Sequence, residues 1–173
     1  MIRPERIFDA GDGSSMRLVL GLLLAAGLAG PAWCDTPEAL TMGECAANGT
    51  GARLQLTVDG LHSTKGDVMV VIYGSRPSAF LAKGKWVVKV QMPIAAATVT
   101  GCIALPQAGT YAIAAYHDED GNRHLKRTLV GLPEEGYAFS NNPRSLLGLP
   151  SYRSVAFSAK DAVTPVLLRI RYP

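Results

Sequence analysis

Leu54, Leu56 and Val58 alternate with Gln55, Thr57 and Asp59. A period of two sends one set of side chains inward and the other outward from an extended backbone, and a helix has no use for it. The same reading recurs along the chain. Val68 to Tyr73 is an unbroken apolar run rich in Val and Ile, the composition of a strand covered on both faces. Trp86 to Met92 alternates weakly and suits an edge. Val99, Ile103 and Leu105 oppose Thr98, Thr100 and Cys102, and Pro106 and Gly109 then mark a turn into Thr110 to His117, which reads as a hairpin. Val166, Leu168, Ile170 and Tyr172 alternate with Arg169 and Arg171 in a last strand with a solvated basic face. Ser75 to Lys85, which holds Pro77 and Gly84, is a short helical or irregular crossover.

No stretch of ten residues carries a convincing 3.6-residue period. The expectation is therefore an all-β fold, a single antiparallel β-sandwich of about seven strands over residues 53–173. Asp35 to Ala52, rich in Gly, Ala and Thr without a period, reads as a leader to it. The segment from Asp118 to Tyr152 departs from the pattern. About 35 residues with little strand character far exceed the usual connection in a compact domain. If ordered, such a loop must bury apolar groups of its own, because each fixed residue costs roughly 1 to 2 kcal/mol of backbone entropy. Tyr137, Phe139, Leu146, Leu147 and Leu149 are available. The expectation is a lid over one end of the sandwich, with Tyr137, Phe139 and Tyr152 facing the core.

Residues 1–34 read as a targeting segment. Arg17 precedes an apolar run from Leu18 to Leu28, too short for the ~20 residues that span a bilayer. It ends before Gly30-Pro31, in the manner of a secretory signal peptide. Met16 lies directly before Arg17 and is the expected true start, and cleavage follows either Ala32 or Cys34. Trp33 stands where lipid anchoring would need a small residue. Beyond residue 34 the chain keeps 14 basic and 11 acidic residues, so its formal charge stays at +3, too weak a field to point to nucleic acid. Cleavage after Cys34 would leave Cys45 and Cys102, an even pair in an exported protein, and a disulfide between them is expected. Neither lies in a C-x-x-C pair or beside a histidine, so zinc and redox chemistry lack their usual spacing.

Asp118, Asp120 and Asn122 follow the D-x-D-x-N spacing of calcium loops, in which oxygen ligands on alternate residues curl around one hard cation. Only half of such a loop is present, since Arg123 follows Asn122 and Leu129 stands where a bidentate glutamate belongs. An Asx-rich turn, its carboxylates bonded to local amides, is the competing reading. His117, with His124, Glu134 and Glu135 further on, invites a hydrolytic reading, but neighbours in a strand point to opposite faces and His117 would not pair with Asp118 there. No G-x-S-x-G elbow, H-E-x-x-H helix or phosphate-binding glycine loop occurs. Tyr137, Phe139, Asn141 and Asn142 combine aromatic faces with short polar groups, a mixture suited either to stacking on a sugar or peptide or to anchoring the loop. Trp86, Tyr116 and Tyr152 share that ambiguity.

The runs Ala108-Gly109-Thr110-Tyr111-Ala112, His117-Asp118-Glu119-Asp120-Gly121-Asn122 and Gly131 to Asn142, with Gly148-Leu149-Pro150-Ser151-Tyr152 after them, resemble the DUF2141 family of exported bacterial proteins. The resemblance covers about Leu54 to Tyr172. It implies a transthyretin-like or carboxypeptidase-regulatory-like sandwich, of the immunoglobulin-like kind, in a family with no assigned activity. Relatives commonly carry a glycine and then an aspartate where this chain has Arg123 and Lys126. The expectation is a periplasmic or secreted noncatalytic module for a protein or small ligand in the cell envelope, without a membrane span or cofactor in its mature form. The alternatives are a calcium-binding module built on Asp118, Asp120 and Asn122, and a hydrolase using His117 and Glu134.

Overall fold

The computed structural model describes residues 39–129, 133–144 and 149–173, all of them within one compact unit, Asp35–Pro173. The expected signal peptide with its start at Met16, and the loop residues Leu146 and Leu147, lie outside the described residues. Among the described residues nine strands form two sheets. The first contains β1 (Leu40–Met42), β5 (Val99–Ala104), β2 (Arg53–Asp59) and β9 (Val163–Arg169), in that order. The second runs β4 (Val88–Pro93), β3 (Asp67–Tyr73), β6 (Gly109–Asp118) and β7 (Tyr137–Phe139), with β8 (Phe157–Ala159) also paired to β6.

Alternation reports faces faithfully. Leu54, Leu56 and Val58 are buried while Gln55 and Thr57 are half-buried, and β3 is buried from Val68 through Tyr73 as an interior strand. The inward residues of both sheets merge into one apolar cluster that includes Leu56, Val70, Ile72, Met92, Ile103, Ile113 and Leu168. The two sheets are thus layered on a shared core, sandwich-like and open at their edges.

Pairing departs from the expectation in three ways. β2 and β9 run parallel, Leu56 opposite Val166, so the sheets are not purely antiparallel. Nearly the whole domain separates these two strands in sequence, so no crossover length restricts their direction. The expected hairpin between β5 and β6 is absent: β5 pairs with β1 and β2, while β6 pairs with β3, β7 and β8. Their short connection passes from one sheet to the other, fixed by the Tyr111 hydroxyl donating to the Gln107 carbonyl at 2.8 Å. The described residues hold nine strands rather than about seven, because β1, β7 and β8 have three residues each and are too short to show a period. β1 falls within the segment read as unpatterned leader.

The long segment is also placed differently. Ala138 of β7 joins the main core, and its neighbours Tyr137 and Phe139 turn to the opposite side. There Ala112, Phe139 and Val155 form a second, smaller core with Phe80, Leu81, Ala114, Tyr137 and Tyr152 packed against it. Ala112 alternates with Ile113 of the main core along β6, so this cluster covers the outer face of the second sheet. The segment is a strand and a cover for that face, not a lid with Tyr137, Phe139 and Tyr152 facing the main core.

Candidate functional site

His117 and Asp118, the last two residues of β6, are both fully buried. His117 Nε2 lies 2.7 Å from the Lys65 carbonyl oxygen and Nδ1 lies 2.6 Å from the Tyr172 hydroxyl. A carbonyl can only accept, so Nε2 carries the hydrogen, and in the neutral ring Nδ1 accepts the Tyr172 O–H. The same phenol oxygen accepts the His62 N–H at 3.3 Å. The His62 ring stacks on the Tyr172 ring at 3.7 Å between centroids, and its Nε2 meets Glu119 Oε1 at 2.9 Å. The Ser63 hydroxyl donates to the same carboxylate oxygen. These two bonds, the Ser63 hydroxyl foremost, hold the Glu119 carboxyl below the usual carboxylate range, while burial and then Glu119 push the Tyr172 phenol up. His62, His117 and Glu119 bring one ligand-type atom each to within 4.8 Å of one another. Both His117 nitrogens are already engaged.

Asp118 closes the turn after β6. Its Oδ1 accepts the Asn122 N–H at 3.1 Å and its Oδ2 accepts the Arg123 N–H at 2.7 Å. Asp120 accepts from the Asn122 backbone at 3.2 Å and side-chain amide at 2.9 Å, and Asn122 Oδ1 accepts the His124 N–H at 2.7 Å. This is the Asx-turn arrangement, carboxylates and amides replacing missing backbone partners. Arg123 adopts φ 63°, inside the left-handed region, and the paired amides offset that strain. Asp118, Asp120 and Glu135 bring carboxylate oxygens to within 4.8 Å, and the Lys126 ammonium is bonded to Asp120 within this group. Lys126 holds the Asp120 carboxyl down, whereas burial, then Asp118 and Asp120, push Glu135 up. Tyr116 is pushed up to about 12 by burial and by Asp118 and Glu135.

The remaining sequence candidates are dispersed. Glu134 is exposed and joins Lys126 through its backbone N–H at 2.9 Å, with His117 not among its partners. Asn141 and Asn142 sit at φ 63° and 45°, which asparagine tolerates better than most residues. Asn141 Nδ2 donates to Ala156 O at 2.9 Å; Asn142 Nδ2 donates to Leu167 O at 2.8 Å and its Oδ1 accepts from Arg169 N at 2.8 Å. The Asn142 amide therefore acts as a one-residue strand along the edge of β9. Between them and β6, the buried Ser140 hydroxyl accepts the Ile113 N–H at 2.9 Å and donates to Val155 O at 2.6 Å. Sequence reasoning missed His62, Ser63, Lys65, Glu119 and Tyr172, whose partners lie 52 to 110 positions away. The lone hint was Tyr172 at the inward phase of the last strand.

Cys45 and Cys102 form a disulfide, as the sequence led us to expect. Among the described residues no helix is long and apolar enough to cross a membrane. No curated protein and no solved structure matches the chain. The family model described as an uncharacterized protein conserved in bacteria, DUF2141, matches residues 56–166. That span takes in every strand from β3 to β8, the buried His117 and the Asx turn, and the chain belongs to the DUF2141 family.

Proposed function

We propose that the protein is an exported, noncatalytic binding module of the cell envelope, built on a transthyretin-like sandwich. The observation that carries this reading is His117, buried with both ring nitrogens consumed by Tyr172 and Lys65. A general base must reach the proton it abstracts, and this ring reaches only the fold. The exposed Glu119 and His62, with the half-buried Ser63, do not replace it. The carboxylate sits between the other two, so the hydroxyl hydrogen points to Glu119 and not to the imidazole that would activate it. The Cys45–Cys102 disulfide suits an oxidising compartment. Asp118, Asp120 and Asn122 serve as backbone ties and a partner for Lys126, which weighs against the calcium alternative.

Expression in a bacterial host, fractionation and intact mass tests the reading. We expect an envelope fraction lacking the segment through residue 32 or 34, with Cys45 and Cys102 closed to thiol reagents before reduction, and its crosslinked partners recoverable by affinity capture. A cytoplasmic chain retaining residues 17–30, or a hydrolytic activity that His62→Ala removes without lowering stability, overturns it.

A further inference from the structure

Between Val68 and His117 the chain contains no aspartate or glutamate, while it carries Arg76, Lys83, Lys85 and Lys89. The fold gathers these four at one end. β3 leaves its Asp67–Asp118 register pair behind and ends at Tyr73, opposite Ala112; β4 starts back at Val88, opposite Ile72. The connection that holds Arg76, Lys83 and Lys85 therefore projects from the end of the second sheet remote from the Asx turn, and Lys89 lies at the start of the returning strand. A cavity of about 270 Å³ opens there between this connection and the crossing from β5 to β6, and Ser75, Arg76, Lys85, Gln107 and Thr110 contribute polar lining. No acid lines it. Asp161, after β8, is the acid that register brings nearest this end, and it follows Lys160. The ion pairs of Asp59, Glu119 and Asp120 are made with Arg169, His62 and Lys126, not with these four cations.

Two apolar side chains here face water: Val87, in the cavity lining, is 46% exposed, and Trp86, next to it in the chain and outside that lining, 40%. The Lys89 ammonium lies 5.5 Å from the Trp86 ring centroid. A soluble anion would use the cavity and leave Trp86 in water. A phospholipid surface uses both features, because its phosphates meet the cations while an indole settles at headgroup depth.

We propose that this end of the protein docks on an anionic phospholipid surface, with one headgroup phosphate seated between Arg76 and Lys85 and with Trp86 as the interfacial anchor. This names a partner class for the envelope-binding role and rests on that reading. Cationic groups and polar donors already line this end, and the ion pairs formed among the described residues do not engage them.

The test is co-sedimentation of the exported chain with phosphatidylglycerol vesicles and with phosphatidylcholine vesicles, with Trp86 emission recorded and inorganic phosphate titrated separately. We expect binding to phosphatidylglycerol at least tenfold tighter than to phosphatidylcholine, a blue-shifted emission that Trp86→Phe removes, and a several-fold loss at high salt. Arg76→Gln with Lys85→Gln should weaken vesicle binding about tenfold while leaving the melting temperature within a degree or two, since both side chains are exposed. Equal binding to the two vesicle types, or undiminished binding by the double variant, overturns the proposal. Saturable binding of inorganic phosphate without vesicle association also overturns it, by assigning the cavity to a soluble anion. An exported protein that ignores both vesicles and phosphate yet still captures an envelope partner overturns this inference alone.

Discussion

The Tyr172 hydroxyl and His117 Nδ1 lie 2.6 Å apart, joining the residue before the chain's last to the buried end of β6. Tyr172→Phe keeps the ring stacked on His62 but leaves a buried nitrogen and the His62 N–H without a partner. The full desolvation penalty of such a group is about 1 to 3 kcal/mol. Chemical denaturation should show a loss of that size with an unchanged denaturant slope. A loss below a few tenths of a kcal/mol would mean that water replaces the phenol.

Cys102 stands in β5 opposite Thr41 of β1, and its disulfide to Cys45 closes a separation of 57 residues. In the chain-entropy model this is worth roughly 4 kcal/mol, an upper figure where the unfolded chain retains structure. Cys45→Ser with Cys102→Ser should lower stability by about 2 to 4 kcal/mol. It should also speed amide exchange at Leu40–Met42 well before the other strands, because this three-residue edge strand pairs with β5 alone.

Faces were legible in the chain and partners were not. Burial of Leu54, Leu56 and Val58 follows from local alternation, but nothing local distinguishes a β5–β6 hairpin from a crossing between sheets, or tells Leu56 that Val166 will run parallel to it. The same limit applies to the site. His117 and Asp118 stood out because imidazole and carboxylate carry chemistry; Lys65 O and Tyr172 Oη, which decide what His117 can do, are ordinary groups whose roles exist only after folding. Asn141 and Asn142 looked like ligand groups because a strand-edge amide and a sugar-binding amide are the same side chain.

Gly66 and Gly84 separate two effects that glycine substitutions usually mix. Both adopt positive φ, 67° and 71°. A Cβ at Gly66 would stand 1.9 Å from the Asp118 carbonyl oxygen, whereas at Gly84 it meets nothing within 4 Å. Gly84→Ala should carry only the left-handed backbone penalty, about 1 to 2 kcal/mol. Gly66→Ala adds displacement of the backbone beneath the Asx turn and should lose several kcal/mol or fail to accumulate as folded protein. Equal melting temperatures for the two variants would remove the close approach of residue 66 to β6.

Acid titration should expose Glu119. Its carboxyl lies below the ordinary value of 4.5 because Ser63 and His62 bond to it, so the folded state binds its proton more weakly than the unfolded chain does. The resulting stabilisation is fully present above about pH 4.5 and is lost as the pH falls through the lowered value. Glu119→Gln cannot titrate. The wild-type protein should therefore melt above this variant near neutral pH, and the gap should close as the pH falls below the ordinary carboxylate value and through the lowered one. Glu135, raised by burial, acts in the opposite sense in both proteins and cancels from the difference. A gap that is unchanged by acid would show that the Glu119 bonds do not depend on its charge.

Calcium offers the sharpest test of the turn after β6. Both Asp118 oxygens accept backbone N–H groups, Asp120 is bonded to Lys126, and burial disfavours the charged form of Glu135. A divalent ion entering here would have to displace an ammonium and strip two amides of their acceptor. A ligand that prefers the folded state must raise its melting temperature. Millimolar calcium should therefore leave the wild-type melting temperature unchanged. Lys126→Ala frees Asp120 and restores some of the negative charge that an oxygen site requires, so any calcium-dependent rise should appear first in this variant and vanish when Asp120→Asn is added. A rise of several degrees in the wild-type protein that Asp118→Asn and Asp120→Asn each abolish would overturn the internal-tie reading and make the turn a cation site.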